Sequence, residues 1–138
     1  FDKTVELLGN DRPQFLADFF KKFFGVGTHA NPVSDELLAW ARSVAMQASL
    51  QATIACQKSF STTDFRGDLP AFKVPTLIIW GEKDRLLHVA MAEVFHKGIK
   101  GSQKILYPDL GHLPFLEAPS RSAEDYMKFL DAIPKQAK

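Results

Sequence analysis

Apolar positions follow two different rhythms along this chain, and the change comes near residue 63. In residues 11–24, DRPQFLADFFKKFF, the apolar positions Phe15, Leu16, Phe19, Phe20, Phe23 and Phe24 recur at helical spacing and make a wide aromatic stripe. Asp11 is placed to cap this helix, Pro13 suits its first turn, and Gly25 suits its end. After GVGTHANPV, which reads as a loop, Ser34 is placed to cap a second helix beginning DELLAWARSVAMQ, with Leu37, Trp40, Ala41, Val44 and Ala48 on one side. A break between Ala48 and Gln51 lets QATIACQKSF form a third helix. The polar stretch STTDFRGDLPAFK, with its Gly and Pro, then reads as a connecting loop.

From Val74 the pattern is different. Val74–Trp80 is a continuous apolar run that Pro75 keeps from being helical, so it predicts a strand buried on both faces, the mark of a parallel sheet. Residues 88–98 follow as a helix, with Met91, Val94, Phe95 and Ile99 at helical spacing. QKILYP predicts a second strand, and residues 120–133 a last helix carrying Tyr126, Phe129, Leu130 and Ile133. The expected organisation is therefore helical segments over 1–63 and a strand–helix–strand–helix (βαβα) unit over 64–138, an α/β architecture. Two strands apolar on both faces do not make a stable sheet alone, because their edges and faces lack cover, so further strands are expected from elsewhere.

Composition narrows the function classes. The chain has 138 residues, 46% hydrophobic and 24% charged, which predicts a packed domain. Its 17 basic and 16 acidic residues are dispersed, so no nucleic-acid partner is expected. Neither a membrane-length apolar run nor a secretory pattern occurs, so no membrane association is expected. The lone Cys56 excludes an internal disulfide, and a cytoplasmic location is expected. The abrupt start on Phe1, without Met, suggests a fragment or a trimmed chain.

The candidate chemistry sits after the two strands. In open α/β sheets ligands bind beyond the carboxyl ends of the strands. Asp84 follows the first strand through GEKD, and His112 follows the second through PDLGH. Parallel strands bring both residues to one edge, where the carboxylate can accept the Nδ1 proton of the imidazole and leave the other nitrogen to act as base and then acid. Singly, such residues also serve as turn or cap residues. Asp109 is the alternative acid. Glu82, Asp84, His88 and His112 match no metal-binding spacing, so no metal is expected. Cys56 reads as a buried packing residue, and Asp64 and Arg66 as an ion pair or a solvated loop. Glu117 and Pro119 shape the turn into the last helix. Trp40 and the phenylalanine stripe are candidates to line a pocket, with core packing as the alternative.

The segments VPTLIIWGEKD and GHLPFLEAP together resemble the C-terminal half of the α/β-hydrolase superfamily, where the first carries the acid and the second the histidine. The run ACQKSFSTTDFRGDLPAFKVPTL resembles the cofactor-free haloperoxidase and perhydrolase branch, close to arylesterases, although that branch often has PHG where this chain has LGHLPFLE. The similarity extends from the second helix to residue 130, and the helices before Phe60 match the family's cap. The resemblance implies an α/β fold made of helical cap segments and the last two parallel strands, with Asp84 and His112 as triad members and Trp40 as a substrate-binding residue. It also implies a small ester or carboxylic acid as substrate. In that family the nucleophilic Ser sits on a GxSxG elbow ahead of the cap, and no GxSxG occurs here. The nucleophile and the remaining strands are therefore expected upstream of Phe1, and the isolated chain is expected to be inactive. The expected partners are the N-terminal half of the fold or a second copy that completes the sheet.

Overall fold

The computed structural model describes residues 2–27 and 33–134. Four helices come first: α1 (Asp2–Asn10), α2 (Arg12–Phe23), α3 (Asp35–Met46) and α4 (Leu50–Thr62). A 3-10 helix (Arg66–Ala71) leads into β1 (Leu77–Gly81), α5 (Ala90–Gly98), β2 (Gln103–Tyr107), the short α6 (Pro114–Glu117) and α7 (Pro119–Ala132). The caps predicted at Asp11 and Ser34 form, and Ser49 supplies a further one. Asp11 accepts the Gln14 amide at 3.0 Å, Ser34 accepts that of Leu37 at 3.1 Å, and Ser49 accepts that of Ala52 at 3.0 Å. Gly25 adopts φ 65°, the left-handed geometry that ends α2. Of the loop expected over 25–33, residues 28–32 lie outside the described residues.

Four differences from the expected elements have local causes. The N-terminal stretch forms α1, whose Leu8 is buried at 2% exposure although no strong stripe announces it. The connecting loop holds the 3-10 helix, nucleated where Asp64 Oδ1 accepts the Arg66 amide at 3.0 Å. β1 begins at Leu77 rather than Val74, because Pro75 has no N–H to pair and Val74 lies exposed. Ahead of the last helix, α6 forms one extra turn starting at Pro114.

β1 and β2 pair in parallel, Leu77 opposite Gln103 and Gly81 opposite Tyr107. Leu69, Ile78, Ala92, Ile99, Tyr107 and Phe129 form the core around them. Leu16, Phe24 and Ala41 are buried among the helices. There Arg12 donates to Ala45 O at 2.9 Å and Ala48 O at 2.8 Å, placing a cation on the open carbonyls at the end of α3.

Much apolar surface stays uncovered among the described residues. β1 and β2 make a two-stranded sheet, and an apolar groove of about 750 Å³ runs along Thr76–Trp80. α4 buries none of its residues, and Cys56 is exposed. This corrects the expectation that Cys56 is buried: α4 packs only partly, against α1, and among the described residues none covers Cys56.

Two consequences are measurable. A Cβ on Gly81 would lie 2.0 Å from Gly111 O and 2.4 Å from Leu110 O, both backbone atoms that cannot step aside. Gly81→Ala is expected to lower unfolding free energy by about 2–3 kcal/mol in urea denaturation. Asp64 lies on the surface, and the hydrogen bonds from the Arg66 guanidinium lower its pKa from 3.8 to about 2. A lowered carboxylate adds its stability above the unfolded value and loses it as pH falls through the folded one, so this contribution fades between about pH 4 and pH 2. Carboxyl NMR should show Asp64 titrating near 2, and rising part of the way towards 3.8 after Arg66→Ala, which removes the guanidinium but keeps the backbone amide bond.

Candidate active site

Parallel pairing sends the C-terminal ends of β1 and β2 to the same edge. The chain after β1 turns at once: Asp84 N donates to Gly81 O at 3.2 Å, and Lys83 N donates to Leu110 O at 2.9 Å, tying this turn to the one after β2. Asp84 then points inward with its side chain 4% exposed. Its Oδ1 accepts the amides of Leu86 at 2.8 Å and Leu87 at 2.9 Å. Its Oδ2 lies 2.8 Å from Nδ1 of His112, whose side chain is 21% exposed. An ionised carboxylate only accepts, so Nδ1 carries the proton and donates it to Oδ2, which leaves Nε2 as the ring's free lone pair.

The His112 loop is fixed from three sides. Gly81 permits the approach of Gly111 O described above. Glu117, 9% exposed, accepts the Gly111 amide on Oε2 at 2.6 Å and the Leu113 amide on Oε1 at 2.9 Å. From the helical half, Phe23 meets the imidazole edge to face, ring centres 4.7 Å apart, as the last member of a chain of ring contacts along α2. Beneath the loop, Tyr107 donates to Asp125 Oδ2 at 2.8 Å. Burial raises the Tyr107 pKa, and the Tyr107 hydroxyl lowers that of Asp125.

The sequence-predicted residues separate clearly. Asp84 and His112 meet. Asp109, the alternative acid, pairs with Arg121 at 2.8 Å. Trp40 lies on α3 at 58% exposure and is not among the residues that line the cleft beside the couple. His88 accepts the Ala90 amide on Nδ1 at 3.2 Å, and no group of three metal-binding side chains occurs among the described residues. Ser102, in KGSQK, also has a histidine neighbour, His96 Nδ1 at 3.0 Å, but it precedes β2 and so sits at the opposite edge, roughly a strand length of 16 Å away. Three features went unread in the sequence: the two amides holding Asp84, the ring contact of Phe23, and the bridge made by Glu117. Only the last left a trace, since Glu117 stands one helical turn after Leu113.

The cleft beside the couple, lined by Ile79, Trp80, Leu87 and Pro114, holds about 140 Å³. Small-molecule sites commonly need roughly 300 Å³ or more.

An acid-then-histidine couple at the carboxyl edge of a parallel sheet, with helices ahead of it, defines a class. Residues 7–119 match the alpha/beta hydrolase fold family, and the chain belongs to that family, on its haloperoxidase-like branch. It is 40% identical over 114 residues to a putative non-heme chloroperoxidase of Synechocystis, covering 81% of this chain and 41% of that one. Among solved structures it is similar to a bromoperoxidase from Bacillus anthracis, with a TM-score of 0.86 at 32% identity over 94% of this chain and 48% of that one. An esterase from Exiguobacterium antarcticum gives a TM-score of 0.83 at 29% identity, over 95% and 47%. The chain thus spans less than half the length of each, and its fold is a partial alpha/beta hydrolase fold.

The Asp84–His112 bond makes a spectroscopic prediction. A far-downfield Nδ1 proton of His112 is expected in proton NMR, slow to exchange because its acceptor is buried, and Asp84→Asn should abolish it.

Proposed function

We propose that this chain is the C-terminal half of a serine hydrolase, a carboxylesterase or perhydrolase of haloperoxidase type, in which residues 1–63 form cap segments and residues 64–138 belong to the hydrolase core. The observation that carries the reading is the 2.8 Å contact of His112 Nδ1 with an Asp84 carboxylate already held by two backbone amides. That arrangement fixes the tautomer needed for acyl transfer. A serine hydroxyl from outside these residues attacks the carbonyl of a small ester or carboxylic acid as His112 Nε2 takes its proton. The leaving group departs with that proton, and water or peroxide, deprotonated by the same nitrogen, then releases the acid or peracid from the acyl-enzyme. The couple needs no metal or organic cofactor for these steps. The absence of GxSxG from the sequence and the small cleft volume both support a nucleophile and pocket completed by another segment. Phe23 would border the acyl group beside the imidazole, and the exposed Trp40 would line an outer part of the pocket that the other segment completes.

A second reading concerns the chain in isolation. The apolar groove along β1 favours pairing with the N-terminal half of the fold or, failing that, with a second copy, which would make the isolated chain a non-catalytic, self-associating piece. No helix among the described residues is long and apolar enough to cross a membrane; for residence we propose the cytoplasm.

The test is a chimera in which this chain replaces the matching part of the Exiguobacterium antarcticum esterase. p-Nitrophenyl acetate hydrolysis is expected from the chimera, and His112→Ala should lower kcat by about 10⁴-fold. The chain alone should show no His112-dependent turnover and should sediment as a dimer or larger species. A chimera indifferent to His112, or a monomeric chain hydrolysing ester through His112, would refute the proposal.

A further inference from the structure

We infer that Glu117 is a positioning residue for the base: its carboxylate bridges the two amides on either side of His112 and so sets the direction in which the imidazole leaves the chain. The inference rests on the reading of His112 as the base. Glu117 lies on α6, five positions after the histidine, and is 9% exposed. One oxygen takes the Gly111 amide at 2.6 Å and the other takes the Leu113 amide at 2.9 Å, so the two contacts straddle the backbone of His112. An acceptor-only group with two oxygens is suited to this task, because a neutral amide side chain would turn a donor toward one of the two N–H groups. The bonds are charge-assisted, and their loss would leave buried donors without partners.

A simpler role is also visible: Glu117 belongs to a small helix, and its own amide donates back to Leu113 O at 2.9 Å, as in a cap. Two features exceed that role. The Gly111 amide lies outside α6, and its bond to Glu117 is the shorter of the two. In addition, the corner between α6 and α7 has a separate fastening, since Ser122, 1% exposed, donates from Oγ to Pro114 O at 2.8 Å. Holding the corner and aiming the histidine thus fall to different residues. Tilting the loop would spoil a contact whose acid partner cannot follow, because Asp84 Oδ1 is already occupied by the Leu86 and Leu87 amides.

The test reads the bridge and the histidine separately, by NMR on the full 138-residue chain. Amide exchange in the unsubstituted chain should show Gly111 and Leu113 protected, a measurement that needs no variant. Glu117→Gln should accelerate exchange at one or both by about tenfold or more and broaden or remove the downfield His112 Nδ1 proton, with other amides unchanged. Ser122→Ala should reduce the melting temperature while leaving that proton in place. Unprotected Gly111 and Leu113 amides in the unsubstituted chain would overturn the inference. So would a Glu117→Gln spectrum with the His112 signal intact, or equal loss of that signal in Ser122→Ala. If the unsubstituted chain shows both amides protected but no downfield proton, the Asp84–His112 couple fails while the bridge stands.

Discussion

The parallel pairing of β1 with β2 is the constraint on which the rest depends. Because both strands run the same way and are in register from Leu77–Gln103 to Gly81–Tyr107, the turns that follow them start side by side. Lys83 N then bonds across to Leu110 O, so the turn carrying the acid and the turn carrying the histidine are one hydrogen-bonded unit. The close passage of Gly111 over Gly81 brings the two turns together at a distance that no side chain at position 81 would allow. Residues far apart in sequence thus meet through backbone geometry, and their side chains add the chemistry to a contact already made.

The couple does not float on that framework. The carboxylate of Asp84 is held by two amides of its own turn, and the imidazole is bounded by a carboxylate bridge beneath its backbone and an aromatic ring against its face. Both groups are thereby held in place by backbone hydrogen bonds and packing. The cleft beside the couple holds only about 140 Å³ and has no serine among its lining residues. This fits a chain that spans less than half the length of its relatives.

Legibility in the sequence followed the range of the interactions. The caps at Asp11 and Ser34 are local and were readable, as was the strand ending in Trp80, whose apolar run has few alternative meanings. The Asp84–His112 meeting was readable because strand direction alone decides which edge each residue occupies. Burial was read less well. Cys56 and Trp40 sit among apolar neighbours on helical stripes, yet both are exposed, because a stripe records what a helix is made to touch and not whether its partner is present. The bridge from Glu117 escaped because a carboxylate that accepts backbone amides has no periodicity, only a position one turn after a histidine loop.

The contact between Phe23 and His112 has a mechanical meaning. The aromatic stripe of α2 belongs to the helical part of the chain, whereas the imidazole stands on the loop after β2. Here the two share a ring-to-ring boundary at 4.7 Å. A shift of α2 is therefore felt directly by the imidazole, so the end of a helix far away in sequence shares in setting where the ring can stand.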